Sequence, residues 1–235
     1  MRTAADRSWI EPRLPLGVTL ADRTGETAMI ALQGPASHTA VALPDLRPFC
    51  FGDATVCGVQ ALVAATGYTG ESGVELIVDA GAAGKLWDGL VAVGAEPAGL
   101  AARDTLRLEV CYPLYGNDLG ERWTALEAGL GWVCALDAKR FSGSQALLAQ
   151  REQGGHDRLV AFRMTDRAIP RQGMVVTGGG EVTSGTMSPS LGIGIGMGYV
   201  PAARAEPGTE LEIDVRGRPA RAEVAKKPLY RKGAA

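Results

Sequence analysis

The 235-residue chain is 46% hydrophobic and 21% charged, with a formal net charge of −2, the balance of a globular protein able to bury a core. So small a net charge excludes bulk attraction to nucleic acid or to an anionic membrane, so an anionic ligand has to be held by local groups. Two histidines and four cysteines (Cys50, Cys57, Cys111, Cys134) without a CxxC pair give no basis for a metal site and fit the reduced thiols of a cytosolic protein. No apolar run reaches the length of a membrane span, and the opening MRTAADRSWIEP has no apolar stretch like that of a secretory signal.

In chain order, AMIALQG (28–34) reads as a strand, with Gly34-Pro35 opening a short helix. ATVCGVQALVAAT (54–66) reads as two β-rich runs broken at Gly58, a hairpin. GVELIV (73–78) is a further strand, and AAGKLWDGLVAVG (82–94) has apolar residues at helical spacing with Gly94 as its stop. LAARDTLRLEVCY (100–112) is a second helix in which Leu100, Leu106 and Val110 can share one face, and GSQALLAQREQGG (143–155) is a third. After Gly155 the texture changes to short β-prone runs between Gly and Pro: RLVAFRM, GMVVT, EVTSGTM, GIGIGMGYV, TELEIDV and PARAEVA. That texture predicts a small sandwich or barrel. The expected fold is therefore α+β, divided near Gly154-Gly155 into residues 1–154 and an all-β part, 155–235.

Gly192, Gly194, Gly196 and Gly198 alternate with apolar residues. The spacing fails GxGxxG and no GK[ST] follows, so the alternation predicts a strand with one bare face that another group can approach. GESGV lacks the last glycine of a nucleophile elbow. His38 and His156 read as surface residues. In GYTGESGVE (67–75), glycines at every third residue surround Tyr68 and Thr69, a loop that can bring backbone near a flat ligand with Tyr68 as an aromatic wall. Glu75 opens the following strand, with Val74 and Leu76 on the other face. It is either a salt-bridged strand-edge residue or an acceptor for a ligand's donors.

Arg103 and Arg107 lie four apart on one helix face, with Asp104 or Glu109 available to separate their charges. They form either an Arg–Asp brace between layers or a site with one guanidinium left for an anionic or carbonyl-bearing ligand, and spacing does not choose. Arg216, Arg218, Arg221, Lys226, Lys227, Arg231 and Lys232 read as a solvated face and tail, since no aromatic stacking platform accompanies them.

QGPAS (33–37), GYTGESGVELIV (67–78), GLAARDTLRLEVCYPLYGND (99–118), LEAGLGW (126–132), EVTSGTMSPSLG (181–192) and KKPLYRK (226–232) follow one another in the order of the glycine cleavage T-protein (aminomethyltransferase) family, which the chain resembles over practically its whole length. The resemblance implies a folate-binding α+β region followed by a C-terminal β-barrel. It further implies transfer of a one-carbon unit from the aminomethyl-lipoyl arm of the H-protein to tetrahydrofolate with release of ammonia. By motif match, Glu75 corresponds to the family's pterin-holding carboxylate, Arg103 to its folate-contacting arginine and Tyr230 to a tyrosine closing over the ligand, with Tyr68 as a ring neighbour. No metal is implied.

The first residues match the family from just after an "NA" motif. The resemblance therefore implies that about the first third of the family domain, with its catalytic aspartate, lies upstream of Met1, and no catalytic residue is assigned within the chain. A separate N-terminal half is the expected second partner beside the lipoylated H-protein. Ala125 stands where the family usually has proline. Two alternatives share the scaffold: a non-catalytic folate-binding remnant, and a folate-dependent demethylase or dimethylglycine-oxidase-type module. The iron–sulfur-assembly relatives carry KGCYxGQE, where this chain reads EVCYPLYGND.

Overall fold

A computed structural model describes residues 3–138 and 141–231, so Lys232 of the closing motif lies outside the described residues. The chain forms two compact units, Met1–Gly67 with Glu71–Pro97, and Tyr68–Gly70 with Ala98–Ala235. No helix among the described residues is long and apolar enough to cross a membrane.

The first unit opens with helix α1 (Thr3–Ile10), which buries none of its residues. Its body is an antiparallel sheet of β1 (Thr27–Gln33), β2 (Phe51–Val56), β3 (Val59–Ala64) and β4 (Gly73–Asp79), ordered β1-β4-β3-β2, with the single-turn α2 (Ser37–Ala40) after β1. The expected hairpin is β2–β3, and it turns at Cys57 (φ 49) and Gly58 (φ 71). Positive φ at both central residues is the twist-compatible solution for a two-residue hairpin. Strand alternation sends Leu32, Val74, Leu76, Val78, Val59, Ala61 and Val63 to one face, where Leu86 and Leu90 of α3 (Ala83–Ala92), four residues apart, close the core. The helix approaches closely because Gly89 faces Cys57, where a Cβ would come within 2.6 Å. It ends before Gly94 (φ 96), as expected.

The second unit carries α4 (Leu100–Glu109), α5 (Ser144–Gln153) and strands β5 (Arg158–Met164), β6 (Glu181–Ser188), β7 (Ile193–Val200), β8 (Glu210–Asp214) and β9 (Pro219–Ala225), in the order β6-β7-β5-β9-β8. The GMVVT run forms no strand of the sheet. Val175 bridges to Glu181 of β6 and Val176 to Ile213 of β8, so this short segment joins the two edge strands and closes the sheet as a barrel. The interior holds Val160, Phe162, Met164, Val182, Leu211, Ile213 and Val224.

The alternating glycines of β7 have the structural role expected of a bare face. Phe162 pairs with Gly196 and Val160 with Gly198 across the strands, and a Cβ added to Gly196 would come within 2.4 Å of Phe162 Cζ and 2.8 Å of the Ser184 carbonyl oxygen. Gly196→Ala is accordingly expected to cost about 1–3 kcal/mol of stability, and Phe162→Leu in the same chain should recover part of it. Urea-unfolding midpoints of the two variants test this. The opposite face of β7 presents Ile195, Met197 and Tyr199, which pack with Leu108, Cys111 and Leu229. Helix α4 lies over this outer face.

Candidate functional site

Helix α4 begins at Gly99 and runs through strong helix formers. It does not bury the face expected from Leu100, Leu106 and Val110: Leu100 is 85% exposed, and the buried residues are Arg107, Leu108 and Glu109. The helix meets the barrel through its last turn, so apolar spacing along its length does not report the contact. The end is a Schellman turn, with the Cys111 N–H on the Leu108 carbonyl (3.0 Å) and the Tyr112 N–H on the Arg107 carbonyl (2.9 Å). Cys111 occupies the left-handed position at φ 61, usually given to glycine.

Arg107 is 1% exposed and Asp118 is fully buried. Arg107 Nη1 donates to Asp118 Oδ2 at 2.6 Å and to the Tyr112 carbonyl at 3.1 Å, Nη2 donates to Ser184 Oγ at 2.8 Å, and Nε to Asp104 Oδ1 at 2.8 Å. Asp118 in turn accepts from Ser184 Oγ (2.9 Å), Thr183 Oγ1 (2.5 Å) and the Leu114 N–H (2.9 Å). Both charges are therefore surrounded by partners, which a buried pair requires. Of the two arginines, Arg107 is the brace.

Arg103, one turn earlier, makes no ion pair among the described residues. Its guanidinium carbon lies 5.1 Å from the centroid of the Tyr68 ring, within cation–π range. The Tyr68 hydroxyl donates to the Pro113 carbonyl at 2.6 Å and its ring sits 5.8 Å from that of Tyr112, tilted by 30°. Burial pushes the Tyr68 phenol pKa up, so it acts as a hydrogen-bond donor and not as an anion. Tyr68 and Arg103, expected separately from two motifs, are thus brought together in the second unit.

Glu75 belongs to the first unit and sits in central strand β4, not at an edge, between Ala31 of β1 and Ala64 of β3. Its carboxylate accepts from Thr66 Oγ1 at 2.5 Å and makes no ion pair among the described residues. The salt-bridged edge alternative is therefore not what forms. Small neighbours on both sides leave the carboxylate reachable on the face opposite the core.

The glycines of the loop serve the protein's own packing. Gly67 faces the Gln33 side chain, Gly73 the Leu32 carbonyl and Gly70 (φ 76) the Val110 side chain. Gln33 Nε2 donates to the Thr66 and Val74 carbonyls at 3.2 and 3.0 Å, pinning the loop from β1. The expected approach of backbone to ligand is not what these glycines provide.

Tyr230 is half-buried, and its N–H donates to the Glu109 carbonyl at 2.8 Å. It therefore hangs from the end of α4, about 9 Å along the axis from Arg103 at 1.5 Å per residue. The Glu109 carboxylate, buried in the same turn, accepts from Ser188 Oγ (2.5 Å), Ser190 Oγ (2.9 Å) and the Ser190 N–H (3.2 Å). Sequence reading placed Glu109 beside the arginines, whereas it anchors the β6–β7 turn. It missed Tyr112, Asp118 and Ser184, whose roles depend on contacts up to 77 residues distant. His38 is exposed as expected. His156 is not a surface residue, since both ring nitrogens are shielded and lack a hydrogen-bond partner. No cluster of three or more histidines, cysteines or carboxylates able to hold a metal occurs among the described residues.

Two family models match the chain: the GCVT N-terminal domain over residues 1–138 and the glycine cleavage T-protein C-terminal barrel domain over residues 158–231. The aminomethyltransferase of Desulforamulus reducens is 41% identical over 98% of this chain and 67% of its own length. That of Geobacillus kaustophilus is 44% identical over 98% of this chain and 68% of its own length. In fold, the chain is similar to the crystal structure of glycine cleavage system aminomethyltransferase T from Bartonella henselae, with a TM-score of 0.86 at 30% identity, covering 97% of this chain and 66% of that one. The chain thus spans about two thirds of the length of these relatives.

Proposed function

The chain belongs to the glycine cleavage T-protein (aminomethyltransferase) family, and from that premise we propose that it binds tetrahydrofolate for one-carbon transfer from the aminomethyl-lipoyl H-protein. The observation that carries this reading is the contrast on α4. Arg107 is consumed by Asp104, Asp118 and Ser184, while Arg103 is stacked on Tyr68 with no anionic partner among the described residues. A guanidinium in that state suits a carboxylate or carbonyl of a flat ligand.

The chemistry of the donor set fits folate. A pterin edge presents a ring N–H beside an amino group, and a carboxylate without a cationic partner, as at Glu75, can accept both. Folate supplies the acceptor nitrogens for the carbon, and ammonia and the lipoyl thiol leave. The residues of this chain bind and orient: Glu75 takes the pterin donors, Arg103 an acceptor group, Tyr68 offers a ring, and Tyr230 closes against the ligand. None of them is assigned a proton transfer. A cytoplasmic setting and a lipoylated H-protein partner belong to the same proposal, as does the division into a folate-binding region, 1–154, and a barrel domain, 155–235.

Calorimetry with tetrahydrofolate, followed by transfer assays with aminomethylated H-protein, tests it. Glu75→Gln replaces an acceptor-only group by an amide whose NH2 opposes the pterin donors, and is expected to weaken binding about tenfold. Unchanged affinity in that variant removes Glu75 from the pterin contact. Binding without transfer would favour the non-catalytic folate-binding reading.

A further inference from the structure

We propose that Thr66 and Gln33 are positioning residues for Glu75: the Thr66 hydroxyl sets the plane of the Glu75 carboxylate, and the Gln33 amide holds Thr66 in place to do so. The inference rests on the folate reading above and concerns the first unit alone.

Neighbouring side chains do not fix that carboxylate. Ala31 and Ala64, which flank Glu75 in the sheet, are too small to wedge a glutamate side chain, and its terminal torsion has no sharp preference of its own. Among the described residues the carboxylate makes one hydrogen bond, from Thr66 Oγ1 to Oε2 at 2.5 Å. A hydroxyl carries a single proton, and here it goes to Glu75. The remaining lone pairs of both oxygens are then held in one plane for a ring N–H and the amino group beside it. Ordering this long side chain beforehand removes rotamer freedom that a ligand would otherwise have to remove on binding.

Thr66 lies two residues past the end of β3, and Gln33, the last residue of β1, holds it there. Gln33 Nε2 donates to the Thr66 carbonyl at 3.2 Å and to the Val74 carbonyl at 3.0 Å. One amide thus ties the residue that donates to Glu75 to the residue that precedes Glu75. Gln33 pairs with Gly73, two residues from Glu75 and on the same face, and its side chain crosses β4 at that glycine. A Cβ would come within 2.8 Å of Gln33 Cδ at Gly73 and within 2.7 Å of it at Gly67, and neither glycine has a positive φ. Room for β1 and this amide, and not backbone conformation, is what the two positions require.

The Gln33 bonds reach backbone carbonyls, so the Thr66 hydroxyl adds nothing to that brace. It acts on Glu75 alone, which separates positioning of the carboxylate from support of the loop.

Calorimetry on the full chain with tetrahydrofolate, and with 6-methyltetrahydropterin, which keeps the pterin alone, tests the relay. Thr66→Val keeps the shape and the Gln33 bond but removes the hydroxyl, and is expected to weaken both ligands about tenfold. Thr66→Ser retains the donor and should bind within about threefold of the native chain. Beside Glu75→Gln, Thr66→Val should add less than about a twofold loss, because the group it orients is already changed. Gln33→Met, of similar length but without the donor, should weaken both ligands by about three- to tenfold with the Thr66 hydroxyl intact.

Equal losses in Thr66→Val and Thr66→Ser overturn the inference, as does a Thr66→Val loss undiminished beside Glu75→Gln. Native affinity in Gln33→Met overturns the part assigned to Gln33. If Glu75→Gln weakens tetrahydrofolate and Thr66→Val does not, the inference fails while the folate reading stands. If neither ligand binds the native chain, both fail.

Discussion

Asp118→Ala is expected to lower the unfolding free energy of the second unit by about 3–5 kcal/mol, because it strands a buried guanidinium. Arg107 is 1% exposed and its shortest contact, 2.6 Å, is to Asp118 Oδ2. Removing the carboxylate also leaves Ser184 Oγ and the Leu114 N–H without an acceptor and Thr183 Oγ1 with only its longer bond to the Met197 carbonyl at 3.3 Å. Asp104 cannot take over. It already accepts from Arg107 Nε and is 47% exposed, so its attraction is screened by solvent.

Replacing both charges, as in Arg107→Met with Asp118→Leu, should cost less than Asp118→Ala alone, since the penalty comes from the unpaired ion and not from the loss of the pair. Urea unfolding followed by Trp123 fluorescence measures both, because Trp123 stacks on the buried Tyr199 at 4.1 Å in the same unit. A double variant less stable than the single one would show that the pair is worth more than its desolvation.

The network also explains how much of the molecule the sequence discloses. Local patterns name β1, the β2–β3 hairpin, β4, α3, α4, α5 and the barrel strands, because hydrophobic period and glycine stops act within a few residues. Barrel closure through Val175 and Val176 is not legible, since two isolated bridges leave no periodic trace. The division of labour between Arg103 and Arg107 is equally hidden. Both share one helix face at the same spacing, and only Asp118 and Ser184, 11 and 77 residues beyond Arg107, separate the brace from the ligand-facing cation. Glu75 shows a third limit. Alternation gives its face correctly, but the pairing of β4 with both β1 and β3, which makes it central, follows from the sheet order and not from its own neighbours.

Arg103→Ala is expected to weaken tetrahydrofolate binding by about 2 kcal/mol or more, roughly 30-fold or greater, with little change in the unfolding midpoint. The two readouts separate because Arg103 supports no ion pair among the described residues, and its ring contact with Tyr68 is partly exposed, worth well under the binding loss to the fold. Tyr68 stays in place without it, fixed by its hydroxyl on the Pro113 carbonyl, so the aromatic surface persists and only the cation is removed. Arg103→Lys should recover a minor part of the affinity, since an ammonium keeps the charge but neither lies flat on a ring nor presents a planar fork. Raising the salt concentration should shrink the difference between the native chain and Arg103→Ala, because the contact is ionic and partly solvated. An Arg103→Ala chain that binds tetrahydrofolate like the native one would assign the guanidinium to the Tyr68 ring alone. A large drop in its unfolding midpoint would assign Arg103 to the fold and leave the cationic partner of the ligand's carboxylates to be sought elsewhere on the second unit.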